Sequence, residues 1–168
     1  MFSKEAVHER SEFSKEVYEK IFSITGKPKK ILDLGCGLDP LSFPYKNIYY
    51  LASDIDKKSL KKVRDYFRKR KIKGEVFNLD IRDLVALERL KKVDLVFGFK
   101  VFDILKKDKR VVRDIIKTIN TKWFIVSFPT KTISGRRMKQ PRRMWFERLF
   151  EIYKTLRFHN EIFYVIKK

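Results

Sequence analysis

Three aspartates in this 168-residue chain stand at or beside the ends of short apolar, β-prone runs: Asp33 in KILDL, Asp54 in YYLASD and Asp80 in GEVFNLD. Gly35 and Gly37 follow the first at alternate positions, where backbone must approach something closely. In an open parallel sheet a ligand sits beyond the carboxyl ends of the strands, and the first turn normally meets it. An acid about twenty positions on, closing the second strand, binds a ribose diol in nucleotide-type sites, and Asp54 stands there. Asp80 could accept a hydrogen bond from an adenine amino group while Ile81 packs on the ring. A pyrophosphate site would keep carboxylates away from the anion, whereas Asp33 and Asp39 flank this loop. The charges suit a cationic, phosphate-free ligand with an adenosine end, and S-adenosylmethionine is such a molecule. Expected cofactor contacts are Asp33, Gly35, Cys36, Gly37, Asp54, Ile55, Asp80, Ile81 and Phe99.

The elements that must position these residues follow from periodicity. Apolar residues at three- and four-residue spacing from Glu5 to Ile24 predict a leading amphipathic helix, stopped by Gly26 and Pro28. Strands are expected at Lys30 to Leu34, Tyr49 to Ser53, Gly74 to Asn78, Val93 to Gly98 and Lys122 to Phe128. Helical patterns lie between them near Lys57 to Lys71, Asp83 to Leu90 and Lys109 to Ile119, and this alternation predicts a parallel α/β sheet. A further helix over Met144 to Lys154 and a terminal hairpin of Thr155 to His159 with Glu161 to Ile166 complete the pattern. The expected fold is a Rossmann-like, mostly parallel seven-stranded sheet with a C-terminal antiparallel hairpin. Residues 1–28 form a helix packed on the domain of residues 29–168, within a single domain overall.

Lys and Arg number 41 against 21 Asp and Glu, a formal charge of +20 that attracts polyanions and makes RNA or DNA the first candidate partner. Many charges of both signs suit a thermophile, but heat adaptation does not explain an excess of one sign. Cys36 is the only cysteine, which rules out an internal disulfide framework and a cysteine-rich zinc site, and the two histidines share no metal spacing. A charged N-terminus and the absence of a long apolar run lead to the expectation of a soluble, cytoplasmic protein and of no metal.

Two basic tracts read differently. Residues 57–73 bury one apolar helical face and leave the charges outside, so a solvated surface is at least as well supported as RNA contact. Residues 131–143, KTISGRRMKQPRR, lack that period and read as a mobile, phosphate-binding loop beside the pocket. Lys131, Arg136, Arg137, Lys139, Arg142 and Arg143 are therefore expected to hold RNA. Ser127, Phe128 and Pro129 end the fifth strand on the ligand side, and Phe102, Phe128 and Trp145 are candidates to stack on a base, with Phe99 also in reach.

The stretch LDLGCGLDPLSFPYKNIYYLASDID, together with FIVSFPTKTISGR and MWFERLF, resembles the Arm and Rmt type of aminoglycoside-resistance methyltransferases, which modify guanine N7 in small-subunit ribosomal RNA. The Asp-Pro-Leu extension of the glycine loop and SFPTKTISGR carry the resemblance, which runs from about Val7 onward. It implies cofactor roles for Asp33, Gly35, Gly37, Asp54 and Asp80, and a contact of Arg10 with the cofactor's carboxylate. Fewer than thirty residues precede the first strand, where that family carries a longer helical extension, so a short archaeal-like relative is expected. Its substrate would be ribosomal RNA or transfer RNA, and it would act as a monomer.

After the fourth strand, VFGFKVFDIL offers no Asn-Pro-Pro-Tyr element for an exocyclic amine, and Cys36 belongs to the cofactor loop rather than to a pyrimidine-attacking site. Guanine N7 carries its lone pair in the ring plane and needs no deprotonation, so positioning alone suffices and no catalytic acid or base is nominated. N7 faces the deep, narrow major groove of an RNA helix, so the guanine must lie in a loop, at a helix end, or flipped out. A non-catalytic RNA-binding or ribosome-assembly factor on the same fold is the alternative reading, and a small-molecule methyltransferase conflicts with the charge.

Overall fold

The computed structural model describes residues 4–132, 134–158 and 160–168, with side chains from residue 15 onward. In chain order it contains α1 (Lys4–Thr25), β1 (Lys30–Leu34), β2 (Tyr49–Asp54), α2 (Lys57–Arg70), β3 (Gly74–Asn78), α3 (Leu84–Glu88), β4 (Val93–Phe99), α4 (Lys109–Thr118), β5 (Thr121–Pro129), α5 (Met144–Glu147), β6 (Lys154–Phe158) and β7 (Glu161–Lys167). Short 3-10 turns occupy Asp39–Ser42 and Phe102–Leu105. The seven strands form one sheet in the order β3-β2-β1-β4-β5-β7-β6. All pairs through β4 with β5 are parallel, whereas β7 runs antiparallel to β5 and to β6.

Residues of β1 are buried on both faces, as a central parallel strand requires. Ile31 joins Val17, Tyr18, Ile21, Val63 and Phe67 on the face covered by α1 and α2, while Leu32 joins Leu87, Val112, Ile115 and Phe146 on the face covered by α3, α4 and α5. Leu60, Val63 and Phe67 recur at three and four residues and anchor α2, each contributing roughly 1.5 to 3 kcal/mol of burial. Asp56, Asp83 and Asp108 cap α2, α3 and α4 by accepting backbone N–H bonds.

Three local expectations are corrected. The helix after residue 143 ends at Glu147, because Phe150 and Ile152 turn onto the sheet and the Tyr153 N–H joins the carbonyl of Val165, which starts the next strand early. The fifth strand runs past Phe128: Pro129 lies opposite Glu161, and the Thr130 N–H continues to the carbonyl of Asn160 at 2.7 Å. The expected mobile loop opens as a tight turn, in which Lys131 bridges Arg137, Thr132 N–H meets the Arg136 carbonyl at 2.9 Å, and Gly135 takes φ +80°. His159 lies outside the described residues.

Candidate functional site

A crevice of about 540 Å³ opens beyond the carboxyl ends of β1, β2, β3 and β4. Its walls are the glycine loop at 35–37, Asp54 and Ile55 after β2, residues 79–82 after β3, and Phe99, Lys100 and Val101 with Ile104 and Leu105 after β4. This volume lies in the range of small-molecule sites. Gly35 and Gly37 adopt φ +64° and +49°, and a methyl group on Gly35 would sit 2.6 Å from the Val101 side chain, so the loop and the β4 exit meet at a point only glycine fits.

The acids hold the floor together. Asp54 accepts the Gly37 N–H and the Asp56 N–H, each at 2.8 Å, while Asn78 donates to the carbonyls of Asp54 and Ile55. A carboxylate has about four acceptor positions, so Asp54 retains capacity toward the crevice. Asp33 is buried beneath the loop, accepts the Tyr50 phenol at 2.6 Å through one oxygen, and has no hydrogen-bond partner for the other among the described residues. Burial pushes its pKa well up, and Asp39 adds to the shift, against the lowering bond from Tyr50. The Cys36 thiol is raised for the same reasons, by burial first and then by Asp33, Asp54 and Asp39. Several carboxyl groups thus gather at the floor of the crevice, with the Tyr50 hydroxyl and the Lys100 ammonium as the opposing influences on Asp33.

Asp80 is engaged by its own loop. Arg82 forks across its two oxygens at 3.0 and 2.7 Å and adds a backbone bond at 2.9 Å, which lowers the Asp80 pKa. Ile81 is nearly buried yet reaches the crevice, and Ile55 and Ile104, 61% and 75% exposed, present apolar side chains at its rim.

On the β4 and β5 side, three residues form a polar cluster. Lys100 adopts φ +57°, unusual for a residue with a side chain, and its N–H donates to the carbonyl of Ser127 at 2.9 Å. Its ammonium meets Glu161 at 3.2 Å, and Glu161 also accepts the Ser127 hydroxyl at 2.9 Å. Phe99 stacks on Phe97 at 4.7 Å and lines the crevice beside this cluster.

Of the residues nominated from sequence, Gly35, Cys36, Gly37, Asp54, Ile55, Asp80, Ile81 and Phe99 gather around the crevice, with Asp33 beneath it. Arg10 lies outside the described side chains. Phe102 and Phe128 are fully buried: Phe102 packs from its 3-10 turn against Phe124 and Phe146, and on β5 Ser127 faces the Phe99 side, so Phe128 faces the opposite core with Phe146 and Tyr164. Neither ring has a free face for a base. Trp145 is partly buried, edge-on to Phe128 at 5.9 Å, in the same cluster.

The arginines divide as well. Arg136, Arg137 and Lys139 are exposed, and Lys131 is half-exposed. Arg142 pairs with Glu147, which lowers the Glu147 pKa, and Glu147 also accepts the Tyr164 phenol at 2.6 Å. Arg143 is an internal clamp rather than an RNA contact, with its side chain 11% exposed and bound to both oxygens of Asp103 and to the carbonyls of Pro141 and Pro129. Sequence reasoning did not single out Tyr50, Lys100, Asp103 or Glu161. A position at the carboxyl end of β4 was the only available signal for Lys100.

Residues 1–153 match the family described as ribosomal RNA methyltransferase (FmrO). The chain belongs to this family. Among relatives of this ribosomal RNA methyltransferase family, it is 28% identical to a 16S rRNA (guanine(1405)-N(7))-methyltransferase of Proteus mirabilis, over 97% of this chain and 62% of that protein. A protein of the same name from Micromonospora echinospora is 29% identical, again over 97% of this chain and 62% of its own length. The chain thus spans less than two thirds of these relatives. The solved structure of the 16S rRNA methylase ArmA superposes with a TM-score of 0.76 at 26% identity, covering 95% of this chain and 84% of that one.

Proposed function

We propose that the chain transfers a methyl group from S-adenosylmethionine to N7 of a guanine in small-subunit ribosomal RNA. The observation that carries this reading is the acid-floored crevice, in which the buried Asp33 carboxylate has one oxygen with no partner among the described residues, in a chain of the ribosomal RNA methyltransferase family. Those residues fit a cationic adenosine compound. Asp54 has acceptor capacity for the ribose hydroxyls, Ile81 and Ile55 supply apolar walls for adenine, and Asp80 reaches the adenine amino group if Arg82 shares or yields it. Asp33 would serve the cofactor's ammonium group.

Held by Asp33, Asp54 and the crevice walls, the bound cofactor would supply an electrophilic methyl on sulfur for an N7 lone pair to take. The chain's own residues then need only orient the guanine and exclude water. Phe99 and Lys100 border the place where the base would enter, with Glu161 and the buried Ser127 supporting Lys100 from behind. Arg136, Arg137 and Lys139 hold phosphates nearby, with Lys131 at the base of the turn. The enzyme acts as a cytoplasmic monomer, and ribosomal RNA is preferred to transfer RNA because the matched family is one of ribosomal RNA methyltransferases.

Small ribosomal subunits incubated with protein and methyl-labelled cofactor test the reading. The label should enter RNA, and the RNA should cleave after borohydride and aniline, because a methyl on N7 labilises the glycosidic bond. Label on a ribose or exocyclic amine would overturn the N7 assignment. Tight RNA binding without methyl transfer would identify a non-catalytic factor.

A further inference from the structure

We infer that the outer face of α2 is a second docking surface for the phosphate backbone of the RNA substrate, separate from the turn at Lys131–Arg137. The inference rests on the reading of RNA as the partner. Eight of the fourteen residues of α2 are Lys or Arg, all eight are exposed, and Asp65 is the only acid within the helix. Lys57, Lys61, Arg64 and Arg68 form one row at four- and three-residue steps, and Lys58, Lys62 and Lys69 lie in the adjoining row with Asp65. Each row presents about one side chain per 5.4 Å turn along roughly 21 Å of helix, a periodic line of charge suited to a backbone of regularly spaced phosphates.

Local stability accounts for the basic last turn, Arg68, Lys69 and Arg70, which complements the helix dipole, but not for the lysines of the first two turns. Lys57 and Lys58 occupy the first turn, at the positive end of the helix dipole, with no acid in that turn. Lys57 with Lys61 and Lys58 with Lys62 are like-charge pairs one turn apart, which destabilise a helix. Among the described residues, Arg68 with Asp65 is the only ion pair on α2. Beyond the Asp56 cap, the first two turns hold four lysines with no acid of their own, and a polyanion would relieve their mutual repulsion. The helix begins directly after Ile55 and Asp56, so the charged line starts at the crevice rim and runs down the α1 and α2 face.

The test removes four charges in two places. Lys57, Lys58, Lys61 and Lys62→Gln keeps helix propensity nearly unchanged and should leave thermal stability equal or higher. A control with Lys91, Lys92, Lys117 and Lys122→Gln removes the same charge near the amino ends of β4 and β5, away from the crevice. With small ribosomal subunits as the probe, the α2 variant should bind about 10- to 100-fold more weakly at low salt. Its salt slope should be shallower by about one per lost phosphate contact. S-adenosylhomocysteine affinity should not change. Equal losses in both variants would reduce the effect to overall charge and overturn the docking surface, as would an unchanged slope in the α2 variant. If wild-type protein ignored the subunits altogether, both this inference and the RNA reading would fall. Wild-type methylation with an unaffected α2 variant would remove the inference alone.

Discussion

The Arg143 guanidinium spans both oxygens of the Asp103 carboxylate, at 3.0 and 2.9 Å, and thereby joins the segment after the β5 turn to the 3-10 turn that walls the crevice. The same side chain donates to the carbonyl of Pro129 at the end of β5 and lies over the Phe128 ring at 5.3 Å. Asp103 is one residue from Ile104 and two from Leu105, which line the crevice, so the pair couples the proposed RNA side to the cofactor side.

Breaking that pair should be costly because Arg143 would remain largely buried without its partner. Asp103→Asn is expected to lower stability by about 2 to 3 kcal/mol, less than for a fully buried pair because Asp103 is partly exposed. Arg143→Lys keeps the charge but cannot fork across two oxygens, and should lose methyl transfer while retaining much of the stability. Thermal denaturation beside kcat/KM would show the split; equal losses in both quantities would mean that the pair only holds the fold.

Asp33 yields a prediction with a definite pH direction. Folding raises its pKa through burial and Asp39, so it costs no stability below the unfolded value near 3.9 and costs progressively more as pH rises toward the folded value. Asp33→Asn should therefore gain heat stability relative to wild type near pH 7, with a gap that narrows toward pH 4. Cofactor affinity should fall by about tenfold, in line with one lost charged hydrogen bond. Melting curves across pH would contradict the argument if the gap stayed constant.

At Gly35, space and backbone both demand the absence of a side chain. Gly35→Ala should weaken S-adenosylhomocysteine binding and lower Tm, because its methyl group meets Val101 at 2.6 Å and φ is +64°. Adding Val101→Ala relieves the contact but leaves about 1 kcal/mol of left-handed strain. Calorimetry should find partial recovery in the double variant. Full recovery would show that strain contributes nothing.

Cys36 is buried and its thiol is raised by burial and by three aspartates, so almost no thiolate exists at neutral pH. Iodoacetamide should leave the folded protein unmodified for hours and label it on unfolding. Cys36→Ala should retain most methyl transfer. Rapid labelling of the folded form would place the thiol in solvent.

The sheet was legible because strands buried on both faces read as continuous apolar runs, as in β1 and β4, and the glycine loop with Asp54 and Asp80 was legible from position within a parallel fold. What escaped is non-local. Nothing near Arg143 announces Asp103, forty positions away, and nothing near Ser127 announces Glu161. Phe128 was misplaced because one step along a strand exchanges faces, and only the paired strand β7 shows which face meets the crevice.

The place of β7 in the sheet sets an order of assembly. It is the seventh strand in the chain yet lies between β5 and β6, where Glu161 holds Lys100 and Ser127, Asn160 anchors the β5 turn, and Tyr164 accepts the Arg143 N–H. During synthesis, strands β1 to β5 can pair among themselves while the wall beside Phe99 and the base of the arginine turn still lack their supports. In chain order, the strands that frame the crevice therefore precede the strand that supports the proposed substrate wall. On the proposed reading, the wall that would face the RNA is completed only when β7 adds to the sheet, after the crevice-forming strands have been made.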